Sequence, residues 1–153
     1  MGLVVYTGGT FDLIHSGHVE FLKACRRLAG DSGRVIVALN SDAFIEAYKG
    51  RKPVMSFDER ATVLQELRSV DQVIENWGGA DSKQAIEFVA PDYIMIGSDW
   101  HERDYFGQMG IDEQWMQENT CGVVYYPYTP GVSTTELKSR ILSGGVSLYP
   151  VAD

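Results

Sequence analysis

Two histidines three residues apart, His15 and His18, close a glycine-rich stretch that begins Gly8, Gly9, Thr10, Phe11, Asp12. The short apolar run Leu3 to Thr7 before it reads as a strand, and Val19 to Ala29 after it carries helical apolar spacing. The histidines therefore sit where a strand hands over to a helix. Such a junction offers free backbone N–H groups and the positive end of a helix dipole, which together suit phosphate. Imidazoles there could donate hydrogen bonds to a phosphoryl group and stabilise negative charge as it builds up during reaction. Gly17, between them, removes a side chain where a ligand must approach closely. Two other readings stay open. The pair could ligate a metal at i, i+3, although no third ligand is adjacent and His101 is remote in sequence, or it could simply cap the helix. The loop lacks both the Gly-Lys-Ser/Thr of a Walker A loop and the Gly-x-Gly-x-x-Gly dinucleotide fingerprint.

A polyphosphate ligand needs cations, and the chain as a whole is acidic, with a formal net charge of −8. That balance argues against a nucleic-acid partner, which would require a basic face. The cations must then be gathered locally. Lys49, Arg51 and Lys52 form the densest basic cluster, with Arg60 close behind; a solvated basic loop is the plain alternative.

The elements that must position these groups follow from hydrophobic patterning. Apolar runs at Leu3–Thr7, Arg34–Asn40, Val70–Ile74, Tyr93–Ile96 and Val123–Tyr126 are nearly continuous, as in strands covered on both faces. Between them lie helical patterns. Phe21, Leu22, Cys25, Leu28 and Ala29 form one stripe. Ser56 and Glu59 make a capping box before Ala61, Leu64 and Leu67. Further helices are expected over about Asp42–Ala47, Ser82–Val89, Asp112–Glu118 and Thr134–Ser143. Alternation of this kind predicts an α/β fold, a Rossmann-like parallel five-stranded sheet with helices on both faces. Ligands of such sheets bind beyond the C-terminal ends of strands, where strand order reverses. The Gly8–Gly17 loop leaves the first strand at that end.

At 153 residues one domain is expected, residues 1–143, followed by an irregular tail over 144–153. No apolar stretch approaches the roughly 20 residues of a membrane span. The start of the chain lacks a signal-peptide pattern. Cys25 and Cys121 are in no metal or redox spacing, so reduced thiols in a cytoplasmic protein are expected, with Cys25 in the core. The acidic segment from Trp100 to Glu118 is read first as a solvated insertion, with a wall of the second-substrate pocket as the alternative.

Gly9, Thr10, Phe11 and Asp12, followed by His15, Ser16, Gly17 and His18, resemble the signature of the cytidylyltransferase-like nucleotidyltransferases. That superfamily includes glycerol-3-phosphate cytidylyltransferases and heptose-phosphate adenylyltransferases. A second motif, Gly131, Val132, Ser133, Thr134 and Thr135, resembles their Gly-Ile-Ser-Thr-Thr. The likeness spans about residues 3 to 142. It implies that His15, His18 and Lys49 act at the α-phosphate. It implies that Gly9, Thr10, Phe11, Ser133, Thr134 and Thr135 hold the nucleotide, with Asp99 near its base. Asp12, Asp42, Arg60 and Trp100 would serve the second substrate. Mg²⁺ on the triphosphate, no protein-bound metal and a homodimer are also implied.

The resemblance points to transfer of CMP from CTP to a small phosphorylated alcohol, with release of pyrophosphate. Two departures bear on this. The cytidylyltransferases carry an arginine before the second motif, where this chain has Tyr128, Thr129 and Pro130, and a phenol does not replace a five-donor guanidinium. The stretch from Asn40 through Lys49, Arg51, Lys52 and Pro53 to Arg60 is closer to the heptose-phosphate adenylyltransferases. An adenylyltransferase acting on a sugar phosphate is therefore the alternative, and a catalytically idle nucleotide-binding protein is the reading from another class.

Overall fold

The computed structural model describes residues 2–78, 81–97 and 105–144. Five strands, β1 (Val4–Gly9), β2 (Arg34–Leu39), β3 (Gln72–Glu75), β4 (Tyr93–Gly97) and β5 (Gly122–Tyr126), form one sheet in the order β3-β2-β1-β4-β5. Every pairing is parallel. Helices α1 (Ser16–Ala29), α2 (Asp42–Lys49), α3 (Phe57–Gln65), α4 (Lys83–Val89), α5 (Tyr105–Met109), α6 (Glu113–Glu118) and α7 (Thr134–Leu142) connect or follow them.

Alternation along each strand divides the core. Val5, Val35 and Met95 face Ala24, Cys25 and Ala29 of α1, while Val37 and Leu39 meet Leu22 of α1 and Ala61 and Leu64 of α3. Tyr6, Ala38, Ile94 and Ile96 point the other way, onto Ala85 and Ile86 of α4 and Met109 of α5. Helices thus cover both faces, as a continuous apolar strand pattern requires. Strand order reverses at β1: β2 and β3 lie to one side, β4 and β5 to the other. The crevice above β1 is the topological switch point.

Three elements depart from the sequence expectation. The third strand starts two residues later than expected. The Asp71 carboxylate accepts the Val35 amide and pairs with Arg26, so Asp71 anchors the start of the strand through its side chain. Helix α1 starts at Ser16, earlier than Val19, because His15 caps it. The segment read as a solvated insertion contributes to the core. Met109 and Ile111, 1% and 4% exposed, pack with Ile86 and Ile94. A five-residue helix is too short to show a period, and the two anchors sit among polar neighbours. Cys25 is buried, as expected. No described helix is long and apolar enough to cross a membrane. The tail over 145–153 lies outside the described residues.

Candidate active site

The histidine pair builds the start of α1 from its own rings. His15 Nδ1 accepts the Gly17 amide at 3.1 Å, and His18 Nδ1 accepts the His15 amide at 3.2 Å. The two rings stack with centroids 3.8 Å apart. This is a capping box made of imidazoles, so the capping reading holds, and it leaves the other ring nitrogens for the phosphate reading. It also fixes the tautomer. A ring that accepts at Nδ1 and is neutral carries its proton on Nε2. Each histidine therefore keeps one Nε2–H donor for a ligand, in place of the amides it has covered.

Both rings are held neutral. Burial pushes the His18 pKa down to about 4, helped by His15 beside it and opposed by the Asp12 carboxylate. Burial lowers that of His15 as well. The sign of the consequence follows from proton counting. Between about 4 and the ordinary 6.5, the unfolded chain protonates His18 and the folded one does not, so stability rises with pH across that window and is lost as pH falls through it. Urea unfolding of the wild type should show this extra slope between pH 4 and 6.5, and His18→Gln should lack it. Identical slopes in the two proteins would refute the assignment.

Gly17 lines the cavity that opens around these rings, and it has a second reason: a Cβ there would lie 2.9 Å from His15 Cε1, so the His15 ring also takes that space. Phe11, expected at the nucleotide, is 7% exposed and packs into the core beside Leu22 and Val37. Its ring lies 5.4 Å from that of His18 and supports it from below. Phe11 and Leu13 both take left-handed backbone, φ 51° and 49°, an uncommon state for bulky side chains that folds the loop back under the histidines.

Around these groups opens a cavity of about 410 Å³ at the strand ends, within the range of small-molecule sites. The structure brings to its wall Gly9, Thr10, Phe11, Asp12, His15, His18, Lys49, Ser133, Thr134 and Thr135, all named from sequence. The cations Arg51, Lys52 and Lys138 join Lys49, and Asp12 is the sole described carboxylate on the wall. An acidic chain has thus concentrated positive charge at one crevice, which focuses its field on an anionic ligand.

Several expected roles change. Asp12 is 5% exposed; its oxygens accept the Val54 and Met55 amides, each at 2.9 Å, and pair with Lys138 at 3.3 Å. Burial opposes its ionisation, but those two amides and the Lys138 ammonium outweigh it and hold the pKa below the ordinary value. Asp12 is a clasp between the loop, residues 54–55 and α7. Arg60, expected at the second substrate, is fully buried. Its guanidinium donates to the carbonyls of Met55, Thr10 and Asn40 at 3.1, 2.7 and 3.0 Å and to Asp42 at 2.6 Å. Asp42 also accepts the Phe57 amide, and neither Asp42 nor Arg60 lines the cavity. They brace the site from behind. Thr134 likewise gives its hydroxyl proton to the Asp12 carbonyl at 2.8 Å, and Ser133 Oγ accepts the Glu136 amide as the cap of α7. Ser133 keeps its hydroxyl proton for a ligand.

Sequence reading missed Lys138 and Gln108, which line the cavity. Lys138 follows Thr134 by four residues, the spacing that shares a helix face, so it carried a signal. Gln108 was not singled out, although it lies in the segment whose alternative reading was a pocket wall. Asp99 and Trp100 lie outside the described residues. No group of three metal-ligating side chains occurs among the described residues.

The sequence model of the cytidylyltransferase-like family matches residues 6–140. The chain is 35% identical over 137 residues to glycerol-3-phosphate cytidylyltransferase of Bacillus subtilis, covering 90% of this chain and 95% of that protein. It is 34% identical over 119 residues to FAD synthase of Korarchaeum cryptofilum, covering 77% and 73%. The bifunctional protein HldE of Citrobacter koseri is 37% identical over 139 residues, 90% of this chain but 27% of that larger protein. Among solved structures, a lipopolysaccharide core biosynthesis protein from Thermoplasma volcanium superposes with a TM-score of 0.61 at 26% identity, over 84% of this chain and 98% of that one. The chain belongs to the cytidylyltransferase-like family of nucleotidyltransferases.

Proposed function

We propose that the protein transfers CMP from CTP to a small phosphorylated alcohol and releases pyrophosphate. One observation carries the reading. The Nε2–H donors of His15 and His18 share a cavity with the start of α7 and with a set of cations that could neutralise a triphosphate. In the reaction a phosphate oxygen of the acceptor forms a bond to the α-phosphorus. The α–β bridging bond breaks, and its electron pair leaves with pyrophosphate. No proton need move at the reacting phosphorus, which suits neutral imidazoles acting as hydrogen-bond donors to the crowded, charged centre. Ser133, Thr135 and the first amides of α7 face the leaving group, and Lys49 faces the α-phosphate. Mg²⁺, as the counter-ion of the triphosphate, would supply charge neutralisation there, since Asp12, the described carboxylate on the wall, is already engaged by two amides and an ammonium.

Similarity over nearly the whole of a glycerol-3-phosphate cytidylyltransferase supports CTP. Tyr128 favours a second reading, adenylyl transfer to a sugar phosphate. Its phenol sits over the end of β4, where a Cβ on Gly97 would lie 2.5 Å from the hydroxyl, and it leaves no guanidinium in that place. The protein is proposed to act in the cytoplasm as a homodimer, which light scattering checks. The deciding experiment incubates it with Mg²⁺, either CTP or ATP, and a panel of phosphorylated alcohols and sugars, following pyrophosphate. Acceptor-dependent release with CTP is expected. Release with ATP alone would overturn the base assignment, and tight nucleotide binding without release from any pair would make the protein an idle scaffold.

A further inference from the structure

We propose that α2 builds the acceptor subsite, and that it selects a phosphomonoester whose body presents a ring face. The inference rests on the nucleotidyl-transfer reading and deepens it. Phe44 and Tyr48 lie one turn apart on α2 with near-parallel rings, 6.0 Å between centroids and 13° between planes. Both line the cavity, and Tyr48 is 55% exposed. Neither ring belongs to, or packs against, any of the three core clusters. Core packing therefore does not account for two aromatics on this stripe.

Charge tells the two cavity walls apart. On the α2 side stand Lys49, Arg51 and Lys52; the opposite wall, with Ile96, Gly97 and Tyr128, brings no described charge. A nucleobase is neutral, whereas the acceptor brings a second phosphate. The histidines, α7, Lys138 and Lys49 provide for the triphosphate, so Arg51 and Lys52, just past the end of α2, suit the acceptor, and the wall that brings no charge among the described residues suits the base. An aromatic face beside those cations then favours a ligand that joins a phosphate to a ring, aromatic or sugar, which buries apolar surface on Tyr48. A three-carbon alcohol phosphate would leave the ring uncovered. The wall is also preformed. Ser41 caps α2 through the Phe44 amide at 3.1 Å, and Asp42 ties it to α3 through the Phe57 amide and Arg60.

Calorimetric titration of the intact protein with phenyl phosphate, glucose 1-phosphate and glycerol 3-phosphate tests this. At least one ring phosphate should bind about tenfold tighter than glycerol 3-phosphate. Tyr48→Ala should abolish that advantage, Tyr48→Phe should keep it, and both variants should bind CTP and ATP within about twofold of wild type. Equal affinity for all three phosphates in the wild type would overturn the subsite. So would a Tyr48→Ala variant that loses nucleotide affinity instead, because the base would then occupy this wall. Pyrophosphate release whose acceptor preference ignores Tyr48 would keep the reaction and reject the subsite. A ring preference that depends on Tyr48, with no release from any pair, would keep the subsite and reject the reaction.

Discussion

His18→Ala is expected to lower turnover by about 10²-fold or more, the scale on which one aligned donor stabilises developing charge in a dry site. The variant removes a donor, and it also removes the acceptor of the His15 amide. The second loss costs the helix on the order of 1 kcal/mol, as deletion of a cap does, and leaves the core untouched. The two effects can be separated. Glutamine is the usual partner in a capping box at this position. His18→Gln should restore the unfolding midpoint to near that of wild type while turnover stays well below it, because an amide places its N–H elsewhere. Single-turnover pyrophosphate release, alongside urea unfolding, makes the measurement. Turnover of His18→Ala within a few fold of wild type would remove this residue from catalysis.

Arg60→Met is expected to destabilise the protein by about 3–5 kcal/mol, the cost of breaking a buried charge pair by removing one partner. Asp42 would lose its cation, and the carbonyls of Thr10, Asn40 and Met55 would lose a donor. The charge term is moderated because Asp42 is partly exposed; the three carbonyls are not so easily compensated. Lysine would not rescue it, since one ammonium cannot span acceptors arranged around a planar fork. Urea unfolding at neutral pH checks the prediction. A loss below about 1 kcal/mol, together with a raised KM for the acceptor, would return Arg60 to the substrate-contact role that its position in sequence suggested.

That reversal shows where sequence stopped being informative. Continuous apolar runs and helical stripes identified the five strands and all the helices but α5, because burial on both faces of a sheet leaves a mark on every residue of a strand. The strand-to-helix junction was legible for the same reason: a loop after β1 has one place to go. What an arginine does was not legible. Arg60 follows the basic cluster in sequence, yet its neighbours in space are carbonyls just past β1 and β2 and before α3, which meet only once the sheet forms. Asp12 and Thr134 line the cavity as their sequence position suggested, and the structure adds partners within the chain. Their types suit a ligand and a backbone amide or carbonyl equally well, and only tertiary contact shows which partner within the chain each takes. Lys138 was within reach, four residues beyond Thr134 on the same face. Gln108 was not singled out, since α5 is placed by two buried side chains and carries no period of its own.

Helix α7 contributes no buried residue, yet it completes the cavity by contacts to a loop 122 residues earlier in the chain. During synthesis, then, the sheet and the histidine loop can be assembled while the cleft still lacks one wall. The cleft is completed last, when Thr134 and Lys138 dock on Asp12. On the proposed function, a nascent chain would gain its affinity for triphosphate only after the sheet has assembled.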